Sequence, residues 1–259
     1  SLSAIVKSRY FRWVNEKLYT CTGRKALNLF RRKGDRSKGC EGGGNGQILS
    51  EGYLGGYAMQ VAKWPLNPLD VCISHFSHLP SAWTVADFGS GECRLSRSIP
   101  QRVINIDLYS CPGANVTICN MAQTPLSTGS VDAVVMCLSL MGTDYPAFLR
   151  EAWRILRPDG FLWIAEIRSR FEERKGDRGA IDRFLKEMRR LGFLCTSEKR
   201  PSKMFLTMTF AKRGQDDDIQ TDETRAKRPL KSTQWPRLKP CLFRKRKTQG
   251  ELLAEAANH

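Results

Sequence analysis

The sequence predicts an α/β domain with a doubly wound, seven-stranded sheet whose last two strands are antiparallel. Three observations carry that expectation. Five apolar runs, at 85–88, 103–106, 116–119, 131–138 and 161–167, recur with loops or helical segments between them, as buried parallel strands do. Two further runs, GFLCTSEK and MFLTMTFAK, are joined only by RPS, too short a link to return a strand in parallel. The first apolar run passes directly into a Gly-X-Gly turn, and the second ends on an aspartate 16 residues beyond that turn.

The elements follow in chain order. Residues 1–33 mix aromatic and basic side chains in YFRWVNEKLY and KALNLFRRK, a pattern for one or two short amphipathic helices. A glycine-rich stretch, 34–46, follows as a connection. From Leu66, the side chains Leu69, Ile73 and Phe76 stand at helical spacing, and Pro80 closes that helix before the first strand. The link YSCPGAN between the second and third strands has seven residues, too few for a full parallel crossover, so the connection is abbreviated. A helix over 146–156 places Phe148, Leu149, Ala152 and Ile155 on one side and stops at RPDG. A last helix over 180–191 carries Ile181, Phe184, Leu185 and Met188 as its stripe, with Gly192 as its stop.

A chain of 259 residues, 41% hydrophobic, is long enough for one well-buried domain with flanking segments. Its formal charge of +16 favours a polyanionic partner. Residues 1–47 hold 11 basic and 3 acidic side chains and 212–259 hold 12 and 7, so the charge is peripheral. The expected organisation is a basic helical extension over 1–47, an enzyme domain over 48–212 and a disordered basic tail over 213–259, the tail serving solubility, nuclear import or RNA contact. Nine cysteines without a CxxC pair suggest reduced thiols rather than a zinc ladder. No signal-peptide pattern and no run of 18 apolar residues occurs, so a secreted or membrane-spanning protein is not expected, and a monomer is.

The chemistry gathers at strand ends. The first strand ends at Asp87 and turns through Gly89 and Gly91, where glycines let backbone N–H groups approach a ligand. Asp107 closes the next strand, where a carboxylate accepts both hydroxyls of an adenosyl ribose. Arg94 stands where a pyrophosphate-binding motif needs its third glycine, so the turn suits the short amino-acid end of S-adenosylmethionine better than a dinucleotide. The bland alternative is a structural turn beside a surface aspartate. After the third strand, Asn120 and Met121 are placed to meet an adenine ring, or are a turn residue and a core residue. Cys137 and Ser139, after the fourth, line a cofactor or target base, or close the core. Arg168, Arg170 and Phe171, after the fifth, offer phosphate contact and base stacking, or ordinary ion pairing. His75 and His78 share a helix but lack a third ligand, so no metal site is assigned.

Seven segments together, RYFRWVNEKLY, QVAKWPLNPLD, VADFGSGECRL, NIDL, CNMAQTPL, CLSLMGT and AEIRSRF, resemble the ribosomal RNA-processing protein 8 (nucleomethylin) family of Rossmann-like methyltransferases. The likeness runs over about 9–212 and leaves 213–259 outside. It implies a nucleolar, S-adenosylmethionine-dependent enzyme that methylates N1 of an adenine in large-subunit ribosomal RNA, releasing S-adenosylhomocysteine, with preribosomal particles as partners. A second implied role is association with chromatin-silencing proteins at ribosomal DNA. By position the resemblance assigns cofactor contacts to Gly89, Asp107, Met121 and Cys137. The family's aspartate before the methionine is Asn120 here, and its histidine after a tyrosine is Leu54, so either the cofactor is held with one polar contact fewer or another side chain supplies it. Those departures leave an alternative, a cofactor-binding scaffold with weak or lost transfer. Adenine N1 already carries a lone pair, so no catalytic base is assigned.

Overall fold

The computed structural model describes residues 2–30, 46–172, 178–213 and 234–241. Seven strands, β1 (Thr84–Phe88), β2 (Arg102–Asp107), β3 (Val116–Ile118), β4 (Val131–Cys137), β5 (Leu156–Ile167), β6 (Phe193–Lys199) and β7 (Phe205–Lys212), form one sheet in the order β3-β2-β1-β4-β5-β7-β6. The first five are parallel and β7 is antiparallel to both β5 and β6. The chain reverses its direction of travel across the sheet between β1 and β4, and a crevice opens beyond the strand ends at such a point.

Alternation along the strands decides which face each helix covers. Ala86, Val134, Met136, Leu162 and Ile164 point towards α5 (Tyr145–Ile155) and α6 (Gly179–Leu191), and pack with Phe148, Trp153 and Phe184. Val85, Ala133, Val135, Trp163 and Ala165 point the other way, onto Cys72 and Phe76 of α4 (Pro68–Phe76) and onto Leu95. Asn67 caps α4, its side chain accepting from the Leu69 N–H at 3.0 Å, and Pro68 takes the first turn. Gly192 ends α6 in the left-handed conformation, φ 105°.

The abbreviated connection is real and extends further than the spacing implied. Between β2 and β3, and again between β3 and β4, the described chain forms turns rather than helices. The second of these turns is tied to α5 by buried Glu151, which accepts from the Thr124 N–H and hydroxyl, each at 2.7 Å. Arg154 reaches the Leu126 carbonyl at 2.8 Å from the same helix.

The N-terminal residues form two helices, α1 (Leu2–Thr20) and α2 (Gly23–Phe30), joined on the sheet by α3 (Gly46–Val61). Phe11, Val14 and Leu18 make the buried stripe of α1 and pack with Ala26, Phe30, Tyr53 and Tyr109. The sequence pattern did not reveal α3, because four glycines within 46–61 depress helix propensity. Gly52 has a packing reason: a Cβ there would lie 2.7 Å from the Tyr10 ring, so the glycine lets α1 and α3 approach.

A second departure concerns residues 234–241, which sequence reading placed in the basic tail. Trp235 and Leu238 are buried in the core beneath α5 and α6, Trp235 lying 5.9 Å from the rings of both Tyr145 and Phe184. The surrounding bases misled: Arg237 and Lys239 are exposed while Trp235, Pro236 and Leu238 are buried. Among the described residues, no helix is long and apolar enough to cross a membrane.

Candidate functional site

A cavity of about 400 Å³ opens at the carboxyl ends of β1, β2 and β4 and is roofed by α1, α2 and α3. Asp87, Gly89, Gly91, Asp107, Asn120, Met121, Cys137 and Ser139 all line it. The structure therefore brings together eight of the residues singled out by sequence, drawn from four strand ends.

The first turn is held against β2. Gly89 and Ser90 donate their N–H groups to the Ile106 carbonyl at 2.8 and 3.1 Å, which lays the turn across the strand ends. Gly89 has φ +84° and Gly91 φ +52°, so both occupy backbone space that favours glycine. A Cβ on Gly89 would lie 2.6 Å from the Ser139 Cβ, so the absence of a side chain keeps the β1 and β4 loops in register.

Asp107 is anchored through both oxygens. Its Oδ2 accepts from the Gly91 N–H at 2.7 Å and its Oδ1 from the Leu108 N–H at 2.6 Å. A carboxylate has about four lone-pair positions, so one on each oxygen remains for two ribose hydroxyls. Burial pushes its pKa up to about 6, against the lowering effect of those two N–H bonds. Burial, reinforced by the negative charge of Asp107, pushes Asp87 up to about 7. Burial also raises Cys137, with the charges of Asp87 and Glu166 adding to it, so it is held as a thiol. The Ser139 Oγ is buried with no hydrogen-bond partner among the described residues, and Asn120 Oδ1 accepts from the Ala122 N–H at 3.0 Å. This donor and acceptor set fits S-adenosylmethionine: a carboxylate for the ribose, a glycine turn for close approach, and an apolar flank of Met121, Leu108 and Phe148 for the adenine.

The raised carboxyls carry a pH prediction. Between the unfolded value near 4 and the folded values near 6 and 7, the folded state binds more protons than the unfolded one, so this pair costs increasing stability as pH rises through that window. A ligand bearing an ammonium group and hydroxyl donors favours the ionised pair. Calorimetric titration with S-adenosylhomocysteine is therefore expected to show affinity rising from about pH 5 to about pH 7.5, with proton release on binding between the two pKa values. Affinity that is flat across that range would contradict the assignment.

Three expectations give way. Phe171 is fully buried and meets Phe184 edge-on at 5.3 Å, so it offers no face to a base. Arg170 is also buried, paired with Glu166 at 2.8 Å and donating to the carbonyls of Leu140 at 2.7 Å and Lys239 at 3.0 Å. Arg168 pairs with Glu172 at 3.1 Å and does not line the cavity. An Arg-Ser-Arg-Phe string reads as a surface motif, but the short helical turn over Arg168–Arg170 rotates two of its members inward.

Sequence reasoning reached the roof only at Leu54, through the resemblance. Tyr53, Leu54 and Tyr57 of α3 and Gly23 and Ala26 of α2 all line the cavity. The Gly23 N–H donates to both oxygens of Asp144, at 2.9 and 3.1 Å, so the residue that precedes α5 caps α2 instead. A Cβ on Gly23 would come within 2.4 Å of Asn120 Oδ1, which brings the start of α2 directly against the cavity wall. For α2 the available signal was the Thr-Gly break between two helical patterns.

Comparison with known proteins gives a consistent picture. A family described as hypothetical methyltransferase matches residues 3–246, and so reaches beyond the 9–212 likeness to include the segment 234–241. Ribosomal RNA-processing protein 8 of Arabidopsis thaliana is 37% identical over 236 residues, covering 91% of this chain and 74% of that protein. The 25S rRNA (adenine(645)-N(1))-methyltransferase of Schizosaccharomyces pombe is 37% identical over 214 residues, 78% of this chain and 61% of that one. Ribosomal RNA-processing protein 8 of Drosophila melanogaster is 35% identical over 238 residues, 91% of this chain and 57% of that one. The chain thus spans 57% to 74% of these relatives' lengths. In fold it is similar to the Burkholderia thailandensis 1,6-didemethyltoxoflavin-N1-methyltransferase solved with S-adenosylhomocysteine, with a TM-score of 0.50 and 18% identity over 71% of this chain and 99% of that one.

Proposed function

Because this chain belongs to the ribosomal RNA-processing protein 8 family of methyltransferases, we propose that it methylates N1 of an adenine in large-subunit ribosomal RNA, using S-adenosylmethionine. The nucleus and nucleolus are its place of action, with ribosomal RNA or a preribosomal particle as partner. The observation that supports this most directly is Asp107, buried at the end of β2 and anchored through one lone pair on each oxygen, beside the Gly89 turn.

The cofactor supplies an electrophilic methyl group on a sulfonium. Asp107 orients its ribose, the Gly89 turn admits its amino-acid end, and Asn120 and Met121 flank its adenine. The loop after β4, carrying Ser139, walls the space that a target base enters. N1 of that base must be unpaired, since in a duplex its lone pair accepts the pairing hydrogen bond. With the cofactor bound, that lone pair would accept the methyl group as the bond to sulfur broke, and the positive charge would pass to the base. No proton has to leave first, so alignment and exclusion of water are the tasks left to the protein.

The roof helices also present a surface suited to RNA. Trp13 is 50% exposed on α1, with Arg9 and Lys17 exposed one turn to either side and Arg24 and Lys25 exposed at the start of α2. An aromatic flanked by bases stacks on unpaired nucleotides and meets their phosphates. Trp13→Ala is expected to weaken binding of a single-stranded ribosomal RNA fragment by about 1–3 kcal/mol, while S-adenosylhomocysteine affinity is unchanged. Filter binding and calorimetry read the two effects separately, and an unaltered RNA affinity would exclude this surface.

Incubation of purified protein with labelled S-adenosylmethionine and unmodified large-subunit ribosomal RNA, followed by nucleoside mass spectrometry, tests the function. Label at adenine N1 is the expected result. Label on another atom overturns the target but keeps the methyltransferase class. Bound cofactor without label, on RNA and on preribosomal particles alike, favours the scaffold alternative that Leu54 and Asn120 motivate.

A further inference from the structure

We propose that residues 234–241 act as a clasp which, through the buried Arg170, holds the roof helix α1 and the loop after β4 in their cofactor-binding arrangement. The proposal rests on the reading of the cavity as the cofactor site.

The segment is fastened at three levels. The Tyr145 hydroxyl donates to the Pro236 carbonyl at 2.6 Å, beneath α5. Arg170 and Lys239 then make a reciprocal bridge: the Lys239 N–H donates to the Arg170 carbonyl at 3.0 Å, and Arg170 Nε donates to the Lys239 carbonyl at 3.0 Å. Finally, Asn15 of α1, itself buried, donates from Nδ2 to the Cys241 carbonyl at 2.8 Å. All three use backbone groups of the segment, which leaves Arg237 and Lys239 exposed.

Arg170 connects this clasp to the cavity. Its Nη2 donates to the Leu140 carbonyl at 2.7 Å, while Glu166, its ion-pair partner, accepts from the Leu140 N–H at 3.1 Å. The pair therefore grips both sides of the residue that follows Ser139 and precedes the cavity-lining Met141. That grip matters because Leu138 is held at φ +59°, a conformation a leucine does not adopt without restraint. The guanidinium carbon also sits 4.7 Å over the Tyr19 ring of α1, next to the cavity-lining Leu18. One side chain thus contacts the clasp, the end of β5, the loop after β4 and the roof.

Stability alone does not account for this arrangement. A buried ion pair is often matched or exceeded in stability by apolar side chains of similar volume, so its distinguishing contribution here is the fixed geometry of four chain segments. Arg170 and Asn15 are positioning residues in this scheme. Neither lines the cavity.

The test uses the full chain with Arg170→Lys, which keeps a cation beside Glu166 but lacks the forked geometry, and Asn15→Ala, which releases α1 from Cys241. Phe193→Leu, on β6 against the Phe210 ring, serves as a destabilised control that leaves the clasp's hydrogen bonds in place. S-adenosylhomocysteine affinity is measured well below each melting temperature, and amide hydrogen exchange is followed over α1 and the loop after β4. Both clasp variants are expected to bind about tenfold more weakly and to exchange faster at those two places, with β6 and β7 unchanged; the control loses melting temperature but not affinity. Wild-type affinity and exchange in both clasp variants would overturn the proposal, as would an equal loss of affinity in the control. Faster exchange in the variants of a protein that binds no S-adenosylhomocysteine would refute the cofactor reading while leaving the mechanical link intact.

Discussion

Gly89→Arg is expected to abolish saturable binding of S-adenosylhomocysteine, and with it methyl transfer, in a protein that keeps its circular dichroism spectrum. Two independent costs combine. A residue with a Cβ at φ +84° is strained by roughly 1–2 kcal/mol. That Cβ also meets the Ser139 Cβ at 2.6 Å, so the loop after β4 has to shift. Overpacking of this kind costs about 1–3 kcal/mol, and the remainder of the arginine side chain then occupies the space the cofactor needs. Gly89→Ala carries the first two costs without the blockage and is expected to bind measurably but weakly. Titration calorimetry on the two variants separates strain from occlusion, and wild-type affinity in Gly89→Arg would rule out this cavity as the cofactor site.

Asp107→Ala is expected to weaken S-adenosylhomocysteine by about 2–4 kcal/mol, roughly 30- to 1,000-fold, through loss of two hydroxyl bonds in a buried site. Asp107→Asn does little better despite its shape. Both oxygens already face backbone N–H donors, Gly91 on one side and Leu108 on the other, so the amide NH₂ is forced against one of them. A conservative replacement that behaves like alanine is the signature of an acceptor required at both positions. If asparagine bound with near wild-type affinity, the carboxylate would not be the ribose acceptor.

Strands and cavity floor were legible in the sequence because period and punctuation are local. The β4 run 131–138 and the β5 run 161–167 alternate between two buried faces, and a run apolar on both faces marks a parallel strand whatever else surrounds it. Gly89 and Asp107 were legible because positive φ and an end-of-strand carboxylate are written into residue type. The roof was not. The helix α3 hides behind glycines of which one, Gly52, serves contact with Tyr10, a reason visible only once α1 is in place. Arg170 and Phe171 look like a surface pair until the residues that cover them, from Tyr19 to Lys239, are brought in from distant parts of the chain. Trp235 and Leu238 lie in a stretch, 225–247, with ten bases and no acid, where composition outweighed two apolar side chains spaced three apart.

The bond from Asn15 to Cys241 spans 226 positions, and this has a consequence for how the protein is made. Synthesis delivers α1 ahead of every strand, at about 5–20 residues per second, so its buried amide waits for a partner until all seven strands have been made. Contacts of such sequence separation close late and slow the search for the native state. The sheet's parallel strands can pair before that moment, whereas the roof acquires its last fastening only afterwards. On the ribosome, then, α1 can pack on α2 and α3 early, but its bond to Cys241 closes only after every strand is available.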